Sequence, residues 1–328
     1  NYNWENYHQQ TSVSWLQHQN DSVIWLGMYN RIGRFVNGQT TIFNMSNSGL
    51  PSNEVSGAVV DTNNNVWFAT SNGLCMFDGT TWTVFNTANS GILEDRIYDI
   101  LVDSSNNIWL ATQATAGLVK FDGTNWSNFN TSNSDIGSNF INDLELDQNG
   151  HLWIGTLDNG ITKFDGTNWT VYNSSNAAIP DDNVLSLGID NQNNVWIGTY
   201  FGASLFDGSS WTLFNVTNSG IPHNTILDFE FDDFGNVWMG TAGGGIGVYN
   251  ADGVSLNVNE IGTLADNAIF KLFPNPFDTD FHIEIDHLSI GASLLLYDAI
   301  GSLIERIELK SVKTHVSTID YTPGFYYY

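Results

Sequence analysis

The chain has 328 residues and a formal net charge of −26, because 35 acidic residues stand against nine lysines and arginines. A chain this acidic is not expected to bind nucleic acid or the anionic face of a membrane. Charged residues make up only 13% of the chain, so the surface is expected to be mostly neutral and polar, which suits an extracellular protein. No apolar run is long enough to span a membrane, and the single cysteine, Cys75, excludes an intrachain disulfide.

The first strand-like segment, residues 3–7, reads Asn-Trp-Glu-Asn-Tyr and matches residues 125–129 and 168–172 further along the chain. After it, one unit recurs six times. Each unit carries a tryptophan inside a short apolar run that ends in Gly or Ala. The six tryptophans are Trp25, Trp67, Trp109, Trp153, Trp196 and Trp238, at intervals of 42 to 44 residues. A fixed period in this range indicates a propeller or a solenoid.

The fifth unit shows what one repeat encodes. Residues 184–189, 195–199, 203–206 and 211–214 are short runs rich in β-branched and aromatic residues, separated by Asn, Asp and Gly. Such runs are typical of strands joined by tight hairpins, and the Asp-Gly pairs favour the turn before the outer strand. Four strands in about 40 residues predict one blade of a β-propeller. No unit has the 3.6-residue periodicity of a helical solenoid, and Cys75 is expected as a small buried side chain in a third strand.

The sixth unit supplies strands at 226–231, 237–241 and 245–249, but no outer strand with a tryptophan follows. We expect residues 3–7 to add that strand, which would close the ring and leave no open sheet edge. The sequence therefore predicts an all-β protein with a six-bladed propeller over residues 1–250. The alternative of seven blades would require a blade that is missing from the chain.

Turns rich in oxygen ligands recur between the first and second strands, as in residues 61–65, 103–107 and 190–194. Their spacing allows a calcium site, but the glutamate that closes an EF-hand-type loop is absent, and Asx side chains commonly cap their own turns. Structural turns are the favoured interpretation. We therefore expect no metal site and no cofactor, with calcium as the less favoured alternative.

The repeat stops after Tyr249. Residues 251–268 are predicted to be a polar linker, and residues 269–328 a small β-sandwich with strand-like runs at 281–285, 293–297, 303–309 and 315–319. Three motifs occur in order here: Phe-Pro-Asn-Pro-Phe at 273–277, Leu-Tyr-Asp-Ala-Ile-Gly at 296–301, and Pro-Gly-Phe-Tyr at 323–326. Their characteristic residues are Pro274, Asn275, Pro276, Tyr297, Asp298, Gly301, Pro323 and Gly324.

This C-terminal segment resembles the type A C-terminal sorting domain of type IX secretion substrates. The resemblance implies export across the outer membrane of a Gram-negative bacterium, with the domain acting as the export signal. It also implies that the type IX secretion machinery is a partner. The protein is then expected to be secreted or displayed on the outer-membrane surface.

The blades resemble the two-component regulator propeller repeat over residues 13–250, through a core of Leu/Val-Trp-Ile-Gly-Thr followed by Gly-Leu and Phe/Tyr-Asp. The resemblance implies the propeller fold and a tendency to bind ligands. A sensor function is not implied, because the chain shows no transmembrane helix, kinase or DNA-binding segment.

Candidate site residues are sought in the loops that break the repeat. Loops between blades and loops after each second strand are expected to share one face of a propeller, and loops held by a rigid scaffold often carry function. Tyr29, Tyr200 and Phe201 can stack on sugar rings, while the other candidates can supply directional hydrogen bonds. These others are Arg31, Glu54, Arg96, Asp158 and His223. The repeated tryptophans are interpreted as core.

Three functions remain open from the sequence. The favoured one is a non-catalytic secreted or surface propeller that binds a glycan or another surface ligand, with no catalytic residue assigned. The second is a propeller lyase acting on a polysaccharide or a cyclic ester, with His223, Arg31 and Tyr200 as candidates. The third is a structural or adhesive surface protein whose partner is another protein.

Overall fold

The computed structural model describes residues 12–251, 254–256, 270–273, 280–285, 293–298, 303–309, 311–317 and 326–327. Every regular element among these residues is a β-strand. By their internal contacts they form two compact units, which divide between Ile189 and Asp190.

The first unit contains four antiparallel sheets, each in sequential strand order. Blade 1 consists of β1 (Val13–Asn20), β2 (Val23–Met28), β3 (Arg31–Val36) and β4 (Gln39–Phe43), and blade 2 consists of β5 (Val55–Val60), β6 (Val66–Thr70), β7 (Gly73–Phe77) and β8 (Trp82–Phe85). Blade 3 consists of β9 (Asp99–Val102), β10 (Ile108–Ala111), β11 (Leu118–Phe121) and β12 (Trp126–Phe129). Blade 4 consists of β13 (Ile141–Leu146), β14 (Leu152–Thr156), β15 (Ile161–Phe164) and β16 (Trp169–Tyr172). The unit ends with β17 (Val184–Ile189). The first strands β1, β5, β9, β13 and β17 lie side by side in that order.

The second unit begins with β18 (Val195–Thr199), β19 (Gly202–Phe206) and β20 (Trp211–Phe214), which follow β17 in the strand order of blade 5. Blade 6 has three described strands, β21 (Ile226–Phe231), β22 (Val237–Thr241) and β23 (Gly245–Tyr249). The protein is thus an all-β six-bladed propeller, as the repeat predicts. Residues 3–7 lie outside the described residues, so the closing strand stays a prediction.

The C-terminal part contains the sheet β24 (Val254–Leu256), β25 (Phe270–Phe273), β26 (Asp280–Ile285) and β29 (Lys313–Ser317), and the sheet β28 (Leu303–Glu308), β27 (Ser293–Asp298) and β30 (Tyr326–Tyr327). Residues 254–256 fall within the predicted linker 251–268 and pair with β25. The boundaries at 250 and 269 stay predictions, as does the face-to-face packing of a sandwich.

The core lies between neighbouring blades, because each sheet buries one face on the next. Between blades 2 and 3, Trp67 packs on Phe85 with ring centroids 5.8 Å apart and on Phe121 at 6.0 Å. Such aromatic pairs contribute about 0.5–1.5 kcal/mol beyond the burial of their area. Cys75 is fully buried in β7, as expected. The period of the tryptophans therefore records a packing contact that is repeated around the ring.

Candidate functional site

Five of the six repeated tryptophans are held by a hydrogen bond to an aspartate six residues earlier, whereas Trp25 donates to Gln19 Oε1 at 3.0 Å. The indole Nε1 of Trp67 donates to Asp61 at 2.9 Å, and the same bond joins Trp109 to Asp103 at 2.9 Å. Three further pairs follow the same pattern: Trp153 with Asp147, Trp196 with Asp190, and Trp238 with Asp232. Each carboxylate also accepts the backbone N–H groups two and four residues ahead. These oxygens hold turns, which supports the structural interpretation, while calcium binding stays untested.

The loops between blades and the loops after the second strands lie together at one end of each blade, called here the loop face. In blade 2, Ser71 N donates to the carbonyl of Glu54 at 3.1 Å. Blades 4 and 6 repeat this bond, from Leu157 N to Phe140 O at 2.9 Å and from Ala242 N to Thr225 O at 3.0 Å.

Each inter-blade loop has two positions that build the loop and one that varies. At the first position, Ser52, Ser138, Asp181 and His223 each accept the backbone N–H two residues ahead. At the second, Asn53, Asp95, Asn139, Asp182 and Asn224 each accept a backbone N–H eight residues back. The third position carries Glu54, Arg96, Phe140, Asn183 and Thr225. Specificity on this face is therefore expected from the third position and from the loops after the second strands.

In the first unit, three of the five predicted site residues are already engaged or half-buried. Glu54 and Arg96 form an exposed ion pair at 3.6 Å, and the Arg96 guanidinium lies 5.4 Å from the ring centre of Tyr98. An exposed pair of this kind contributes little to stability. Arg31 is half-buried, and its Nε is buried without a hydrogen bond in the described part of the chain. Tyr29 is 80% exposed in the turn after β2, and Asp158 is exposed in the turn after β14.

In the second unit, the remaining three predicted residues lie in two loops that are joined through Thr225. Tyr200 and Phe201 occupy the turn after β18 and are 48% and 63% exposed. The Thr225 hydroxyl donates to the Tyr200 carbonyl at 3.5 Å, and Thr225 N donates to Nδ1 of His223 at 3.0 Å. The two aromatic rings and the imidazole thus belong to adjoining loops of one face.

The His223 bond fixes which ring nitrogen carries the proton. Because Nδ1 accepts a hydrogen bond, the neutral imidazole has its N–H at Nε2. The half-buried ring therefore offers a hydrogen-bond donor from a rigid turn. Gly244 allows this arrangement, because a Cβ there would lie 2.8 Å from the Cβ of His223.

Sequence analysis missed an acidic pair on the first strands. Asp99 and Asp143 are hydrogen-bonded to each other, and each also accepts a backbone N–H from the next blade, Leu144 at 2.9 Å and Leu187 at 2.6 Å. Burial, and then the charge of Asp99, raise the pKa of Asp143 well above its usual range. Burial also raises the pKa of Asp99. The pair joins neighbouring blades, and only the residue alignment of the first strands could have revealed it.

The sorting-domain residues are only partly described. Tyr297 and Asp298 lie at the end of β27 and pair with β30. The predicted residues Pro274, Asn275, Pro276, Gly301, Pro323 and Gly324 lie outside the described residues.

Comparison with protein families confirms both resemblances. Residues 49–72, 91–114, 135–158 and 178–201 match the two component regulator propeller. Residues 271–328 match the secretion system C-terminal sorting domain. The sorting-domain match indicates that this propeller is secreted to the outside or the outer surface of a Gram-negative bacterium. No helix in the described part of the chain has the length and apolar character needed to cross a membrane.

Among solved structures, the chain is similar to PorZ, a bacterial surface component of the type IX secretion system of Porphyromonas gingivalis, with a TM-score of 0.61 and 19% identity over 93% of this chain and 47% of that one. It is also similar to the extracellular domain of the hybrid two component system BT3049 of B. thetaiotaomicron (TM-score 0.55, 16% identity, 98% of this chain and 53% of that one). A third similar structure is virginiamycin B lyase of Staphylococcus aureus, with a TM-score of 0.60 and 14% identity over 85% of this chain and 93% of that one.

The chain spans about half the length of the first two of these proteins. At such identities the likeness establishes the fold alone. No curated protein matches the chain.

Proposed function

We propose that this surface or secreted propeller is a non-catalytic binding protein whose loop face takes a glycan, with Tyr200, Phe201 and His223 as the contact residues. The observation that carries the proposal is the pair of exposed aromatic rings in a loop that Thr225 joins to His223, whose donor nitrogen is fixed. Sugar rings pack their C–H faces on aromatic side chains, and their hydroxyls need directional donors.

Charge restricts the kind of glycan. The net charge of −26 disfavours a polyanionic ligand. Moreover, Arg96 on the loop face is already paired with Glu54. A neutral oligosaccharide therefore fits best, and export to the cell surface would expose the loop face to such polymers.

The lyase alternative is not favoured by this geometry. A general base needs a free lone pair directed at the substrate, whereas the lone pair of His223 Nδ1 is taken by Thr225 N and Nε2 carries the proton. The adhesive alternative, with a protein partner, has no specific observation in its favour.

The experiment is a titration of the full chain with a panel of neutral oligosaccharides, followed by calorimetry on any that bind. Replacing Tyr200 and Phe201 together by Ala removes two stacking partners at about 0.5–1.5 kcal/mol each, so affinity should fall about 5- to 150-fold. His223→Ser keeps an oxygen that can accept Thr225 N, as Ser52 and Ser138 do in other blades. It removes only the Nε2 donor, and affinity should fall about 2- to 10-fold.

The matched control is Leu213→Ser, which changes an exposed apolar side chain on the outer strand of the same blade. It should leave binding unchanged. Unaltered affinity in the Tyr200/Phe201 variant would refute the site, and a flat panel would shift the function towards a protein partner.

A further inference from the structure

A cavity of about 300 Å³ lies between blades 2 and 3, at the ends of the strands opposite the loop face. Its walls are Trp67, Met76, Phe85 and Phe121, and its rim includes Asn63 and Asn106. None of its lining residues is a residue of the Tyr200 site. Its volume is at the lower end of ligand-binding cavities.

The cavity lies beside a position of the repeat that carries a cation in some blades and an apolar residue in others. The third-strand residue paired with the tryptophan is a cation in blades 1, 3 and 4. Arg34, Lys120 and Lys163 lie over Trp25, Trp109 and Trp153, at 5.9, 5.1 and 5.2 Å from the ring centres. In blades 2, 5 and 6 this position is apolar, and in blade 2 it is Met76, which pairs with Trp67. Methionine is shorter and uncharged, so the space that a lysine would cover stays open.

The walls are rigid and apolar. Trp67 stacks on Phe85 at 5.8 Å, and Phe121 contacts both rings, at 6.0 Å from Trp67 and 5.5 Å from Phe85. The Met76 sulfur adds a polarizable group that packs well on rings. A ligand face made of C–H groups would meet a surface that needs no rearrangement.

The rim is polar but carries no free charge. Asn106 Oδ1 accepts Thr62 N at 2.9 Å, whereas its Nδ2 has no hydrogen-bond partner among the described residues. The side-chain amide of Asn63 is likewise unpaired within that part of the chain. Asp61 is the one charged residue of the lining, and its carboxylate is saturated by Asn63 N, Asn65 and Trp67.

We propose that the inter-blade cavity binds a single neutral pyranose ring, with its C–H face on the Met76 side of Trp67 and its hydroxyls on the amides of Asn63 and Asn106. An anionic sugar would meet no free cation in this lining and would be desolvated without compensation. A purely apolar ring would leave the rim amides unsatisfied, at a cost that a hydroxylated ring avoids.

The test uses the full chain and a set of monosaccharide probes: glucose, galactose, mannose and N-acetylglucosamine, with glucuronate as the charged counterpart. Binding is followed by saturation-transfer NMR and by the shift in melting temperature. At least one neutral sugar should bind and glucuronate should not. Binding of glucuronate as tight as that of the neutral sugars would overturn the proposal. So would binding of phenol or indole with no sugar binding, or binding by none of the probes.

Met76→Lys is the decisive variant, because blades 3 and 4 show that the repeat accepts lysine over its tryptophan. It should lower sugar affinity at least tenfold. Leu205→Lys is the matched control, since Leu205 pairs with Trp196 at the equivalent position of blade 5, and it should leave binding unchanged. Equal affinity in Met76→Lys and the unaltered protein would overturn the proposal.

A second variant keeps the test independent of how Met76→Lys folds. Asn106→Asp retains the oxygen that accepts Thr62 N but removes the Nδ2 donor, so sugar affinity should fall about 2- to 10-fold. The Tyr200/Phe201 double variant should keep its monosaccharide binding. The failure of the loop-face site and the failure of this cavity are therefore distinguishable.

Discussion

Asp61 offers the sharpest test of how the repeat holds its blades together. Its carboxylate, 6% exposed, accepts four hydrogen bonds: from the N–H groups of Asn63 and Asn65 at 2.9 Å, from Asn65 Nδ2 at 2.8 Å, and from Trp67 Nε1 at 2.9 Å. Asp61→Ala removes both acceptor oxygens and so all four hydrogen bonds at once. Water can reach the turn amides, but the indole N–H of Trp67 is left buried.

The expected loss of stability follows from the indole N–H of Trp67, which is left without an acceptor. Leaving a buried donor unsatisfied costs about 1–3 kcal/mol, and hydrogen bonds to a charged group add about 1.5–3 kcal/mol. We expect the free energy of opening blade 2 to fall by about 3 kcal/mol. Asp78→Ala is the matched control in the same blade, because that carboxylate accepts Thr80 N and Thr81 N at 2.8 and 2.7 Å in an exposed hairpin. Water can replace those bonds, so Asp78→Ala should affect the opening of blade 2 only slightly.

Cys75 supplies the assay. It lies in β7 of the same blade, is fully buried, and burial raises the pKa of its thiol to about 12. A thiol reagent should therefore modify it only when blade 2 opens. If opening precedes labelling, 3 kcal/mol corresponds to labelling about 150-fold faster in Asp61→Ala. Asp78→Ala should change the rate by about fivefold at most. Labelling of Asp61→Ala at the unaltered rate would refute the role assigned to the carboxylate.

Three further predictions concern other parts of the molecule. Burial raises the pKa of both aspartates of the Asp99–Asp143 pair, to about 6 for Asp99. The stability that the protonated pair contributes is therefore complete below the ordinary aspartate pKa of about 4 and is lost as pH rises through the raised pKa. Melting temperatures from pH 4 to 8 should show this loss, and Asp143→Asn should flatten the pH dependence. A Cβ at Gly73 (φ +111°) would lie 2.4 Å from the Phe85 carbonyl oxygen, whereas one at Gly79 (φ +99°) meets nothing within 4 Å. In urea unfolding, Gly79→Ala should lower the free energy of unfolding by about 1–2 kcal/mol and Gly73→Ala should lower it by more. Equal losses in the two variants would contradict the clash at Gly73. If residues 3–7 close blade 6, Trp4→Ala should lower stability by about 3–5 kcal/mol, and an unchanged melting temperature would exclude that strand.

The loop face shows where prediction from sequence reached its limit. The exposure of Tyr29, Tyr200 and Phe201 follows from their positions in turns, and the structure has them exposed. The neutralisation of Arg96 by Glu54 joins residues 42 positions apart in neighbouring loops, and no local pattern indicates it. Likewise, the capping bond that fixes the His223 tautomer depends on loop geometry, although Ser52 and Ser138 at the same repeat position were a usable signal.

The sequence by itself determined the blades, because five of the six repeat tryptophans are buried in the core and the chain must return to that core every 42 to 44 residues. It also determined the strands of the fifth unit, which the structure places at Val184–Ile189, Val195–Thr199, Gly202–Phe206 and Trp211–Phe214. Tertiary structure alone decided what happens at the positions that depart from the repeat. Met76 is visible in the sequence at a position where blades 3 and 4 have lysine, but the walls of the cavity beside it come from two blades, with Phe121 of blade 3 packed against Trp67. Periodic contacts leave a periodic signal, whereas a site formed between two blades depends on the neighbour that packs against it.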